Sequence, residues 1–375
     1  MASPLSILQV CSASQATYGA VQSLMTLAVA QREAGHRVEF ATFKGKRFGS
    51  QVEAAGFRVH EVAVRAKIDP VAIAVMRGVM LRGGFDIVHT HLSTSSVNGC
   101  LAARSARVPS VATVHGMSGK LSFVGADHLI AVSQQVKDHL VEQGVREEKI
   151  TVVYNGLEME EPSLDRDAAR TRLGLSPDAI VLGTIARVTP AKGIDDALRA
   201  VAIMAPKIPR LRYLVVGDGD GLPACRKLAQ DLQISDRVTF LGYRTDIANC
   251  LDTMDMFLFP SHKEAMGIAL VEAMWAGLPT VATRIGGIPE VITPQCGILV
   301  PSHNPEAVAK ATMELLDDDA LRDRMGAAAG HRARTVFSSQ SMREATDWVY
   351  RSMLGQGLPI PQPSPKSRRS GHRRR

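Results

Sequence analysis

Short runs of aliphatic and β-branched residues recur along the chain, and stretches of helical period lie between them. "LSILQV", "HRVEFATF", "FDIVHTHL", "SVATVHG", "HLIAVS" and "ITVVYNG" read as strands. "GAVQSLMTLAVAQREAG" and "VNGCLAARSA" read as helices between them. The alternation restarts at "AIVLGTIARV" and continues through "RLRYLVVGDGD", "RVTFLGY", "MFLFPS", "PTVAT" and "GILVP". The strand runs are continuously apolar, as in parallel sheets covered by helices on both faces. Strand–helix alternation predicts right-handed crossovers and an α/β fold.

The alternation pauses at the charged segment "LEMEEPSLDRDAARTRLGLSPD", residues 157–178. The chain therefore divides into a first doubly wound domain over residues 1–160 and a second over 161–337. Ligands of such sheets sit beyond the carboxyl ends of the strands, so two of them facing each other enclose a cleft. "SSQSMREATDWVYRSML" predicts one more helix, at 338–355, with Ser341 and Glu344 as a capping box and Met342, Ala345, Trp348 and Val349 as its apolar stripe. It is expected to return to the first domain. Beyond it, Pro359, Pro361, Pro363 and Pro365 predict an extended, disordered tail over 356–375.

Composition changes this picture in three places. The formal net charge is +7, but Lys366, Arg368, Arg369, Arg373, Arg374 and Arg375 supply six of those charges, leaving the body near +1. The basic character therefore belongs to a tail, suited to an anionic membrane surface, and not to a nucleic-acid-binding face. Aromatic residues at 5% argue against base stacking. The five cysteines are scattered at no metal or redox spacing, which predicts free thiols in a reducing cytoplasm. The amino end lacks the positive region of a signal peptide, and no stretch approaches the ~20 apolar residues of a membrane span. A soluble cytoplasmic protein, or a peripheral one on the inner face of the cytoplasmic membrane, is expected.

Candidate chemistry gathers at the strand ends. In "GTIARVTPAKGID", Arg187 and Lys192 follow a strand and precede a helix, and Gly193 permits a close turn. Two cations there suit a diphosphate, or else an ordinary solvated loop. "SHKEAMGIALVEAMWAG" predicts a helix that opens just after Gly267. The first backbone N–H groups, at Gly267, Ile268 and Ala269, form an anion site. Glu264 and Glu272 flank it and could accept hydrogen bonds from sugar and ribose hydroxyls. The plainer alternative is that Glu264 caps the helix and Glu272 pairs with a cation. "LVVGDGDG" reads as a tight turn and lacks the third glycine of a dinucleotide fingerprint.

In the first half, "QATYGAVQSL" places Gly19 between a strand and a helix, where backbone can approach a phosphate. His89, His91 and His115 fall at strand ends. Zinc needs further carboxylate or thiolate ligands at matching spacing, and none is present, so satisfied core or cleft histidines are the better reading. His115, followed by Gly116, is the one expected to face the cleft.

Taken together, these segments resemble the family 4 glycosyltransferases of GT-B fold, the "glycosyltransferases group 1" class, from residue 5 to about 354. "HKEAMGIALVEAMWAG" is similar to the family's E-x7-E element, and "ARVTPAKG" to its phosphate loop. "DIVHTHL", "TVHG", "AVSQQV", "VVYNGLE" and "ATRIGGIPEVI" match in order. The resemblance implies that Arg187 and Lys192 hold the donor diphosphate, that Glu272 binds the ribose, and that Glu264 binds the transferred sugar. It places Gly267, Ile268 and Ala269 against sugar and phosphate, Gly19 near the distal phosphate, His115 near the sugar and acceptor, and Tyr243 near the nucleobase. It implies a hexosyl transfer with retention of configuration, without a metal or other cofactor and without a protein nucleophile. The co-substrate would be a UDP- or GDP-sugar. The acceptor would be a saccharide or lipid-linked saccharide, as in lipopolysaccharide or surface polysaccharide synthesis. Tyr18 stands where the family has a second glycine, and Ala265 and Met266 follow Glu264, which bears on the shape of the sugar pocket. A sugar-nucleotide epimerase of the same fold, or transfer to a small soluble acceptor, is the alternative.

Overall fold

The structure, a computed structural model, describes residues 3–14 and 19–356. Among these residues the strands form two sheets. The first contains β1 (Ser6–Cys11), β2 (Arg37–Phe43), β3 (Arg58–Val62), β4 (Ile87–His91), β5 (Ser110–Val114), β6 (His128–Ala131) and β7 (Ile150–Val152), in the order β3-β2-β1-β4-β5-β6-β7. The second contains β8 (Ile180–Ile185), β9 (Leu211–Val216), β10 (Val238–Gly242), β11 (Met256–Phe259), β12 (Thr280–Thr283) and β13 (Gly297–Val300), in the order β10-β9-β8-β11-β12-β13. Pairing is parallel throughout. Each sheet is doubly wound, and the strand order reverses at β1/β4 in one and β8/β11 in the other. The carboxyl ends of those four strands are where such a sheet opens a crevice.

The apolar runs explain the central strands. β4 and β5 are buried along their whole length, as are β11 and β12. The sequence pattern missed β3, because its residues alternate with charge and its burial is partial. It is an edge strand, tied to β2 partly by a His60 Nε2–Glu39 Oε2 contact of 2.7 Å. The charged segment after β7 is also more than a linker. Asp165 caps a helix at Arg166–Arg172, and Arg166 and Arg170 both pair with Asp255, at 2.5 and 3.0 Å. That helix therefore belongs to the second domain.

The chain passes between the domains twice, and the two passages run side by side. Leu157 bridges Ser338 in parallel, with Leu157 N–H donating to Phe337 O at 2.9 Å and Ser339 N–H to Leu157 O at 3.0 Å. The final helix, Ser339–Met353, then packs on the first helix, Gly19–Glu33. Met342, Val349 and Tyr350 are buried in the first domain's core, with Ala345 and Trp348 packed against it. The predicted capping box is corrected here. Ser338 is the cap and its side chain accepts from Ser341 N–H, because the helix begins two residues before the expected Ser341 cap; Ser341 Oγ instead donates to Thr335 O.

A third link joins the domains at Glu290. Its Oε2 accepts from Gln134 N–H at 2.6 Å and its Oε1 from Gln135 N–H at 3.1 Å, at the start of the first-domain helix Gln134–Glu142. Tyr154 Oη donates to the same carboxylate at 3.1 Å. A carboxylate at a helix N-terminus satisfies N–H groups that have no intrahelical partner. It thus links the second domain to the first. All five cysteines are buried free thiols. Among the described residues no helix is long and apolar enough to cross a membrane. The basic tail, from residue 357 onward, lies outside the described residues.

Candidate functional site

The cleft between the domains holds a cavity of about 670 Å³. All ten residues singled out from the sequence line it: Gly19 and His115 from the first domain, and Arg187, Lys192, Tyr243, Glu264, Gly267, Ile268, Ala269 and Glu272 from the second. Their placement follows from topology. Arg187 and Lys192 lie in the turn after β8, and Glu264 and Gly267 in the turn after β11, so both flank the reversal point of the second sheet.

Two helix N-termini converge there. Gly267 precedes the helix Ile268–Trp275 with φ of 96°, a left-handed conformation that favours glycine. Opposite it, the helix of the first domain starts at Gly19, where an added Cβ would come within 3.2 Å of Ile268 Cδ1. The leading N–H groups of an α-helix lack intrahelical partners and carry partial positive charge, so two anion-seeking helix starts meet at the cavity wall.

The side-chain charges complete the site. Lys192 Nζ pairs with Glu264 Oε2 at 2.5 Å, and both are largely buried. Arg187 is exposed and has no ion pair among the described residues. The turn carrying Lys192 is fixed by Gly193, at φ 61°, where a Cβ would strike Pro260 O at 2.0 Å. Tyr243, 62% exposed, stands at the rim, beside an Arg244–Asp246 pair at 2.5 Å. The sequence reading offered two roles for Glu264, hydroxyl binding or a helix cap; the free protein gives it a third, as the partner that positions Lys192.

Glu272 has no hydrogen-bond partner among the described residues. It keeps some opening to the cavity, yet burial of its carboxyl raises its pKa from 4.5 to about 7. The sign for stability follows from linkage. The folded carboxyl holds its proton more tightly than the unfolded one, so stability is full below about pH 4.5 and declines as pH rises towards about 7. Calorimetric melting of the ligand-free protein should therefore fall across that window, and less steeply in Glu272→Gln. Parallel curves for the two proteins would remove burial of this carboxyl as the cause.

His115 is the end of a buried relay that the sequence did not disclose. His115 Nε2 lies 3.1 Å from His91 Nδ1, and His91 Nε2 lies 2.9 Å from Gln9 Oε1. Gln9 Nε2 donates to Gln31 Oε1 at 3.0 Å, and Gln31 Nε2 to Tyr350 Oη at 3.3 Å. Tyr350 Oη and His89 Nδ1 are 2.6 Å apart, and His89 Nε2 and Thr113 Oγ1 are also 2.6 Å apart. One direction of donation satisfies every link. Gln9 Oε1 can only accept, so His91 Nε2 donates, His91 Nδ1 accepts, and His115 donates through Nε2. His115 Nδ1 is then an acceptor, and it has no partner among the described residues. Burial drops His115 to about 4 and, with the neighbouring His115, drops His89 to about 3, so both are neutral near pH 7. His89 and His91 are satisfied by protein contacts at both ring nitrogens, and His115 at Nε2 alone. The site thus offers a pocket lined by two cations and helix N-termini, an unpartnered carboxyl and a neutral imidazole acceptor.

Comparison with known proteins adds to this geometry. The family profile described as Glycosyltransferase Family 4 matches residues 17–161, and that of Glycosyl transferases group 1 matches residues 165–332. A D-inositol 3-phosphate glycosyltransferase of Streptomyces bingchenggensis is 34% identical over 309 residues, which cover 73% of this chain and 68% of that protein. An N-acetyl-alpha-D-glucosaminyl L-malate synthase of Bacillus anthracis is 29% identical over 350 residues, 86% of this chain and 91% of that one. Among solved structures, Anabaena HepE in complex with UDP superposes with a TM-score of 0.83 at 23% identity, covering 93% of this chain and 100% of that one.

Proposed function

The chain belongs to the family 4 glycosyltransferases of the group 1 class, and from that membership we propose that it moves a sugar from a nucleoside diphosphate donor to a small hydroxyl acceptor, with retention and without a catalytic metal. The observation that carries this reading is the convergence of Arg187, Lys192 and two helix N-termini on one cavity. As the bond from the anomeric carbon to the diphosphate oxygen breaks, negative charge grows on the leaving group. Fixed cations and backbone N–H groups stabilise that charge without reorganising. Glu272 takes the ribose diol, Tyr243 the face of the base, and Glu264 with His115 Nδ1 the hydroxyls of the sugar. UDP is the favoured nucleotide, since Anabaena HepE has been solved with UDP and with UDP-glucose.

The relatives' names carry D-inositol 3-phosphate and L-malate, which are small acceptors. The described first-domain wall of the cavity presents Gln22, His115 and Asn155 as its polar side chains and no lysine or arginine. Uncharged polar groups favour a neutral polyol or saccharide over an anionic acceptor. A lipid-linked saccharide is the second reading, favoured by the six tail cations. The test is product formation from UDP-glucose and UDP-N-acetylglucosamine with inositol, inositol 3-phosphate, malate, free disaccharides and lipid-linked saccharides, with the product anomer read by NMR. An inverted product, or turnover with no acceptor beyond epimerisation of the donor, would sink the proposal.

Turnover at 25 °C should persist in excess chelator. Loss of the rate, with recovery on adding magnesium or manganese, would place a metal on the diphosphate and contradict the role given to Arg187 and Lys192.

A further inference from the structure

Beside the turn that carries Lys192, outside the residues that line the cavity, the side chains of Asp196, His262 and His303 converge. Asp196, 7% exposed, has its Oδ2 buried without a hydrogen-bond partner among the described residues. His262 Nε2 lies 3.8 Å from that atom and 3.8 Å from Asp195 Oδ1. His262 Nδ1 is 2.9 Å from Ser302 Oγ, a contact that fixes the ring and turns Nε2 towards the carboxylates. His303 stacks on the same ring, with centroids 3.6 Å apart. One ligand atom each from Asp196, His262 and His303 falls within 4.8 Å of the others. A buried carboxylate oxygen without a hydrogen-bond partner, as Asp196 Oδ2 is, is costly unless a cation pairs with it.

We propose that Asp196, His262 and His303, with Asp195 on the open side, form a binding site for a divalent transition-metal ion, with zinc as the expected occupant. Two imidazoles and two carboxylates suit zinc, whereas calcium requires six or more oxygens. The Ser302 contact on the second nitrogen of His262 is the kind of outer support that orients a metal-ligating histidine. The present separations exceed the roughly 3.3 Å edge of a tetrahedron with bonds near 2.05 Å. The exposed members, His303 and the half-exposed Asp195, have room to close that gap. The site is structural. His262 and Lys263 donate their backbone N–H groups to Ala191 O at 2.8 and 3.2 Å, so a metal on His262 and Asp196 would clamp the Lys192 turn between the end of β11 and the loop after β13. It does not touch the diphosphate pocket and leaves the chelator result at 25 °C as stated.

The test uses the full, tag-free chain, stripped with chelator, desalted and titrated with zinc chloride. One equivalent of zinc should survive desalting, and the melting temperature should rise by roughly 5 °C at a hundredfold excess over Kd. Asp196→Asn and His303→Ala should each weaken zinc binding about tenfold or more. His303 is exposed, so its variant keeps the fold even if the buried substitution does not. Cobalt substitution should give a visible absorption band that is lost in both variants. No retained zinc and no thermal shift would overturn the proposal. Equal zinc binding by wild type and His303→Ala would overturn it too, by placing the metal elsewhere.

Discussion

Lys192→Ala should lower kcat by about 10²–10³ while changing donor affinity much less. In the proposed reaction the partly buried lysine would meet charge that is greater in the transition state than in the bound donor. Only interactions that strengthen along the reaction raise the rate. Arg187, exposed and without an ion pair in the free protein, is better suited to capture the donor, and its loss should appear mainly in KM. The Lys192–Glu264 pair at 2.5 Å adds a control. Removing the lysine strands a carboxylate in a partly buried position, which costs about 1–3 kcal/mol. The double variant Lys192→Ala/Glu264→Gln should therefore regain stability without regaining rate. Glu272→Ala should instead weaken donor binding, since ribose contacts are alike in ground and transition states. Steady-state kinetics with calorimetric nucleotide binding decide the matter. A Lys192 variant with normal kcat and high KM would reverse the two roles.

The sequence made the site legible to the extent that its residues sit at strand ends and helix starts. Arg187, Lys192, Glu264, Gly267 and Glu272 are close in sequence to the strands that position them, so local pattern and spacing located them. Twelve apolar runs gave strands for the same reason, since a buried parallel strand is a local signal. β3 was not legible, because an edge strand with charged residues lacks that signal. The His115 relay was not legible either. Its links join Gln9, Gln31, His91 and Tyr350, residues brought together only by the pairing of β1 with β4 and by the return of the last helix. The cluster of Asp196, His262 and His303 is equally non-local: its members span three separate loops or helix starts. Chemistry encoded by one turn can be read from a sequence. Chemistry assembled by topology needs the fold.

Ending the chain after Phe337 should give an insoluble or inactive protein, because the last helix completes the first domain's core. Met342, Val349 and Tyr350 are nearly or fully buried there, and burying each large apolar side chain contributes about 1.5–3 kcal/mol. Polar links add to the packing. Asp347 Oδ2 lies 3.2 Å from His36 Nε2, and Arg351 Nη2 donates to Ser3 O at 2.8 Å. Tyr350 Oη closes the relay between Gln31 and His89. Its removal would leave two buried polar groups unpaired, at about 1–3 kcal/mol each. The sum is comparable to the whole stability of an ordinary domain, about 5–15 kcal/mol. The milder variant Tyr350→Phe keeps the ring and deletes only the hydroxyl. It should fold and melt roughly 5–15 °C lower than wild type. Its relay would be broken at Gln31 and at His89, while the links from His115 to Gln9 remain, so its rate near pH 7 should hold. Solubility, melting temperature and turnover measured on both variants separate packing from the relay. A truncated chain that stays soluble and fully active would show that the first domain closes its core without the returning helix, and the buried Met342–Tyr350 face would then need another explanation.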